Sequence, residues 1–247
     1  MKIMSCNQEE MFSDGSSEVK VYRETFSEGP GGWFAWDARL SPIEIQNGMV
    51  VSRSPWWIDP NHAPPGAGYL HILMALYTLS KPDEEMERVT GRNKFVEMGF
   101  PQDFTNAKVT VKVRGEVNLR GAEILFLAQA AVGGKAINFV LTAQPIEVTP
   151  NWSTQTITLD PDESQWTCLG SRLGREDTYG WGPIAPVLKN LNLDILFVLF
   201  PIIVNPVSAF DGDKDRAVPH EDYEADRSRL PQGTIWFDEV SIEFPAR

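Results

Sequence analysis

The feature that most constrains this chain is a succession of short apolar segments separated by turn residues, with no helical pattern alternating between them. Residues 19–26, 43–52, 69–78, 107–117, 122–130, 136–143, 153–159, 193–204 and 234–244 each read as a strand. Asn47-Gly48 inside the second is a tight-turn signal. Strands that follow one another directly predict antiparallel sheets packed face to face, an all-β sandwich with little helix. Helical signal is confined to 83–98, interrupted by Gly91, and to a single turn at 186–191. Residues 1–18 are polar and aperiodic and read as a flexible tail. Residues 19–247 read as one sandwich domain, since all-β domains reach roughly 200–250 residues.

The net charge of −12 argues against nucleic acid and anionic membrane as partners, because both demand a basic footprint. A small neutral molecule, an oligosaccharide or a cation such as calcium is compatible with it. No apolar run approaches the roughly 18 residues a membrane helix needs. No apolar stretch follows Lys2 as in a secretory leader, so a chain starting at its native Met1 is expected to be cytoplasmic. Cys6 lies in the polar tail, so no structural disulfide with Cys168 is expected.

One long irregular segment, 205–232, separates the last two strands and carries Asp211, Asp213, Asp215, Glu221, Asp222, Glu224 and Asp226. Loops of this length are uncommon and often functional. An EF-hand reading fails at its sixth place, where Arg216 stands instead of the required glycine. The segment is expected to be a solvated acidic loop.

The two ends of the fold carry a recognisable pair. Phe26-Ser27-Glu28-Gly29-Pro30-Gly31-Gly32-Trp33 opens it, and Gly233-Thr234-Ile235-Trp236-Phe237-Asp238-Glu239-Val240-Ser241-Ile242 closes it. Together with Asn151-Trp152, these segments resemble the terminal and middle strands of galactose-binding-like, jelly-roll carbohydrate-binding modules. The resemblance implies a jelly-roll β-sandwich. It also implies a structural calcium where the terminal segments meet, with Asp238 as a ligand and Glu28 or Glu24 nearby. The first acidic position of the family pattern is Ser27 here.

The densest group of chemically capable residues is 56–71, with Trp56, Trp57, Asp59, Asn61, His62, Tyr69 and His71. Its prolines and glycines suit a rigid loop feeding a strand. Period two places Tyr69, His71 and Tyr77 on one face of that strand, and Leu70, Ile72, Met74 and Leu76 on the core face. A sugar site needs a flat aromatic for the apolar face of the ring and amide, carboxylate or guanidinium groups for its hydroxyls. Trp56, Trp57, Trp152 and Trp181 suit the first role. Asn61, Asp59, Gln129 and Arg114 suit the second, with Tyr77 lining the same face. Histidine titrates near neutrality, so His71 or His62 with Tyr69 and Asp59 suit general acid–base catalysis. His62, His71 and Asp59 also suit a transition metal, although their spacing matches no metal motif. No nucleophile elbow, phosphate loop or dinucleotide fingerprint is present.

Three functions remain compatible with these residues. The first is a carbohydrate-active lyase or hydrolase using His/Tyr proton transfer on a sugar or glycoside, or a cyclase of a non-sugar natural product built on the same sandwich. The second is a non-catalytic glycan-binding module. The third is an interaction domain whose acidic loop meets a partner.

Overall fold

Alternation of apolar and polar residues closes one face of each strand against a partner sheet, and the strand order follows. The computed structural model describes residues 19–37, 39–59, 62, 68–79, 84–171, 175–206, 223–224 and 229–246. Its strands are β1 (Val21–Glu24), β2 (Trp33–Trp36), β3 (Leu40–Pro42), β4 (Glu44–Gln46), β5 (Met49–Arg53), β6 (Tyr69–Tyr77), β7 (Lys108–Asn118), β8 (Glu123–Val132) and β9 (Lys135–Val140). After them come β10 (Ser153–Thr158), β11 (Thr167–Cys168), β12 (Tyr179–Gly180), β13 (Asp194–Ile202), β14 (Asn205–Pro206), β15 (Tyr223–Glu224) and β16 (Gln232–Glu243). One sheet has the order β10-β7-β16-β5-β4, with β1 also on β16. The other runs β11-β9-β8-β13-β6-β2-β3, with the short β12 parallel to β9. This is the all-β, antiparallel two-sheet sandwich expected from the sequence.

Helix is scarce: α1 (Glu84–Thr90), α2 (Lys94–Glu97) and α3 (Ile184–Lys189). The segment expected as one helix over 83–98 is broken at Gly91, whose φ of 64° ends α1. Asn93 then caps α2, accepting the Val96 N–H at 3.1 Å. The start of the expected helix at Asp83 lies outside the described residues, as do the tail 1–18 and the acidic residues 211–222 and 226. The ends of the long irregular segment do pair, Asn205 with Glu224 and Pro206 with Tyr223. No helix among the described residues is long and apolar enough to cross a membrane.

Between the sheets lies one apolar cluster built on aromatics. Trp33 stacks on Phe197 at 6.1 Å, and Phe126 and Phe237 close on the same ring at 5.9 and 5.7 Å. The Trp33 indole N–H donates to the Tyr22 hydroxyl at 2.9 Å, which satisfies a buried donor. The second sheet is also buried on its outer side. There Phe34, Leu70, Ile72, Ala75, Leu125, Leu127, Leu196, Val198 and Phe200 form a second apolar cluster. That is why 195–200 reads as an unbroken apolar run rather than an alternating one.

The expected faces of β6 require correction. Met74 pairs with Phe197 but Ile72 pairs with Val198, so Leu73 is an extra residue in the strand. A bulge of one residue reverses parity. Leu73, Met74 and Leu76 therefore face the inner core, with Tyr69 packed against it, whereas Leu70, Ile72, Ala75 and Tyr77 belong to the outer cluster. Tyr77 and His71 do not share a face.

Candidate functional site

The outer face of the eight-stranded sheet carries successive cross-strand rows, and one of them is polar. Tyr77 on β6 pairs with Asp194 on β13, Asp194 with Gln129 on β8, and Gln129 with Asn138 on β9. The next outward row is wholly apolar: Ala75, Leu196, Leu127 and Val140. Asn138 and Asp194 are buried, at 0% and 9% exposure. Tyr77 is held by a stacked Phe34 ring at 4.6 Å.

Two further segments add groups to this row. The Asp59 N–H donates to the Leu70 carbonyl at 2.7 Å, pinning Asp59 beside β6. Its carboxylate pairs with His62 Nδ1. His62 Nε2 lies 3.2 Å from Gln129 Oε1. Each ring nitrogen thus faces a side-chain oxygen, one from Asp59 and one from Gln129. Tyr179 on β12 sets its ring edge-on to His62 at 5.2 Å, and the Arg175 guanidinium lies 5.7 Å from the Tyr179 ring.

The electrostatics follow from burial and neighbours. Burial pulls the His62 imidazole down, but the charge and hydrogen bond of Asp59, with smaller help from Asp194 and Gln129, bring it above its ordinary value. Burial pushes the Asp194 carboxyl up to about 7, against the opposing pull of His62. Burial also raises Tyr77, to about 12, and Tyr179, with Asp194 and Asp59 respectively as the charges that reinforce it. The cluster therefore holds a histidine raised above its ordinary value together with a carboxyl raised to about 7. Three of its buried atoms find no hydrogen-bond partner among the described residues: Asn138 Nδ2, Asn138 Oδ1 and Asp194 Oδ1. Such groups are rare because each costs about 1–3 kcal/mol.

His71 belongs to a different place. Its Nδ1–H donates to the Trp57 carbonyl at 2.7 Å, and its ring lies 6.0 Å from that of Trp56. These residues line a groove of about 270 Å³ between the edges of the sheets, with Trp36, Glu44 and Arg53. Burial lowers the His71 pKa to about 4, outweighing the Trp57 carbonyl and Asp59. A depressed histidine gives stability that is lost as pH falls. His71 therefore costs the fold roughly 3 kcal/mol between pH 6.5 and 4. Asp194 acts in the opposite sense over that window, so the wild type masks both. Urea denaturation should show His71→Asn gaining on the wild type as pH drops from 6.5 to 4. Parallel stability curves for the two proteins would contradict a neutral buried His71.

The remaining expected residues are dispersed. Tyr69 packs against the inner core. Arg114 and Trp152 lie on the outer face of the six-stranded sheet, where the guanidinium sits 5.3 Å from the Trp152 ring and 4.3 Å from that of Trp236. Trp181 is 66% exposed and covers Gly170. Asn61 lies outside the described residues. Of the residues implied to hold calcium, Glu24 and Glu28 both meet Lys94, and Asp238 pairs instead with Lys112 at 2.5 Å.

Asp194, Tyr179 and Arg175 went unforeseen, and Asn138, a candidate beside Gln129 from its sequence, could not be assigned a face without the register. The available signal was a polar residue in an apolar setting: Asp194 heads the apolar run of β13, and Asn138 interrupts Ala136-Ile137-Asn138-Phe139-Val140.

Fold and site together define a β-sandwich protein with a buried cluster of polar and titratable side chains on the outer face of one sheet. Neither a protein-family model nor a curated protein matches this chain. Among solved structures, it is similar to the CBM2 module of the evolved Dit of Lactobacillus casei BL23 phage J-1. The TM-score is 0.33 and the identity 12%, over 93% of this chain and 98% of that one.

Proposed function

We propose that the protein is an acid–base catalyst of the lyase or hydrolase kind, acting on a sugar, glycoside or similar polar ring compound at the Tyr77–Asp194–Gln129–Asn138 row. The observation that carries this reading is the set of three buried, unpartnered polar atoms on Asn138 and Asp194. A ligand offering both a donor and an acceptor, as neighbouring hydroxyls do, satisfies them. In this reading His62 transfers the proton, Asp59 orients it, Asp194 acts as the neutral acid, and Gln129 and Asn138 hold hydroxyls. The apolar row alongside, Leu196 and Leu127 included, favours a ligand with an apolar part and keeps a non-sugar cyclase as the second reading.

The test is product analysis by mass spectrometry on a panel of oligosaccharides, aryl glycosides and non-sugar polyene or phenolic rings. Wild type and His62→Ala are compared. Turnover that falls at least about 100-fold in His62→Ala is expected. Retention of one glycan by both proteins without any product leaves a binding module, and the Trp152–Arg114–Trp236 face is then the place to substitute.

A further inference from the structure

The turn after β1 holds a buried carboxylate whose cation comes from the chain itself. Glu24 is 1% exposed. Its Oε1 accepts the Thr25 and Phe26 N–H groups at 3.1 and 3.0 Å. Its Oε2 accepts no hydrogen bond among the described residues and faces the Lys94 ammonium at 3.2 Å. The same ammonium lies 3.3 Å from Glu28 Oε2. Lys94 is placed by its backbone as well, since its N–H donates to the Gly31 carbonyl at 3.3 Å and Asn93 caps the helix it opens. Gly31 has a φ of 60°, and a Cβ there would stand 1.9 Å from Glu24 Oε2. The turn therefore tolerates no side chain where it closes over the carboxylate.

The calcium implied by the resemblance does not fit this arrangement. Glu24 shares the inward face of β1 with Tyr22, whereas Asp238 reaches Lys112 on the outer face of the same sheet. The three carboxylates do not converge, and an ammonium already sits between two of them. Among the described residues no group of three metal-ligating side chains occurs.

We infer that Lys94 is a built-in counter-cation: its ammonium does at the Glu24–Glu28 turn the structural work of a divalent cation, and its removal exposes a latent calcium site. A buried carboxylate stripped of its partner is strongly unfavourable, so a hard cation that accepts oxygen ligands has something to gain there.

The experiment uses the full chain as wild type, Lys94→Met, Lys94→Arg and the double variant Glu24→Gln/Lys94→Met. Thermal melts are recorded in EDTA and in millimolar calcium, with calorimetric titration of calcium. The wild type and Lys94→Arg should ignore calcium. Lys94→Met should melt several degrees lower in EDTA and recover with one bound calcium per chain. The double variant should be insensitive to calcium, which separates a lost cation from general damage to the turn. A wild type that binds calcium, or a Lys94→Met protein that calcium neither binds nor restores, overturns the inference.

Discussion

At pH 8, Asp194→Asn should unfold on the order of 10 °C above the wild type, and below about pH 7, where the carboxyl is protonated, the acid role proposed for it predicts a loss of at least about 100-fold in turnover. The carboxyl sits buried at 9% exposure with one oxygen unpartnered, and burial holds its pKa near 7. A carboxyl raised in this way binds its proton more tightly folded than unfolded. Stability therefore falls as pH rises from about 3.8 to about 7 and stays low above. The shift corresponds to roughly 4 kcal/mol at pH 8. An amide of the same shape carries no charge to desolvate and removes that cost. The gain over the wild type should vanish near pH 4, where both side chains are neutral. Melting curves across that range check it, and an Asp194→Asn protein no more stable than wild type at pH 8 would remove Asp194 as a strained functional acid. Natural sites that retain such a group trade stability for activity.

The second large effect is at Asp59. Replacing it with Asn leaves His62 buried with its main source of positive shift gone. Desolvation is the largest influence on this ring, so its pKa should fall from above the ordinary histidine value to below it. Histidine ring resonances followed by NMR through pH 4 to 9 report this directly. Because the folded pKa of His62 is raised, the pair stabilises the fold below pH 6.5, and that contribution fades as pH climbs through the folded value. Asp59→Asn should consequently lose about 3–5 kcal/mol at acid pH, with the deficit shrinking on the alkaline side. On the acid–base role proposed for His62, turnover should drop by about 10²–10⁴, since Asp59 also sets the orientation of the ring. A His62 titration unchanged in the variant would detach Asp59 from the site.

The fold was largely legible in the chain. Segments such as 107–117 and 234–244 declare themselves because a half-buried strand must alternate, and β7 and β16 do so across the inner core. The short strands β2 and β3 were missed, for a run of four residues such as Trp33–Trp36 is too brief to display a period. The site was legible only in pieces. Asp59 and His62 were foreseen together and Gln129 apart from them, but the loop 56–71 suggested one constellation with His71. The bulge at Leu73 separates Tyr77 from His71, and nothing in Tyr69-Leu70-His71-Ile72-Leu73-Met74 announces an extra residue.

What the sequence determined on its own is the class of architecture: local alternation and turn chemistry act over a few residues, and they suffice to specify strands, turns and two closed faces. What the tertiary structure decided is which polar groups meet. Tyr77, Asp194, Gln129 and Asn138 come from four strands and lie in one row because antiparallel register aligns them. Lys94 reaches Glu24 across 70 residues because the turn after β1 packs against the start of α2. Register and burial are properties of the packed sheet, and so are the raised carboxyl of Asp194 and the raised imidazole of His62 that depend on them.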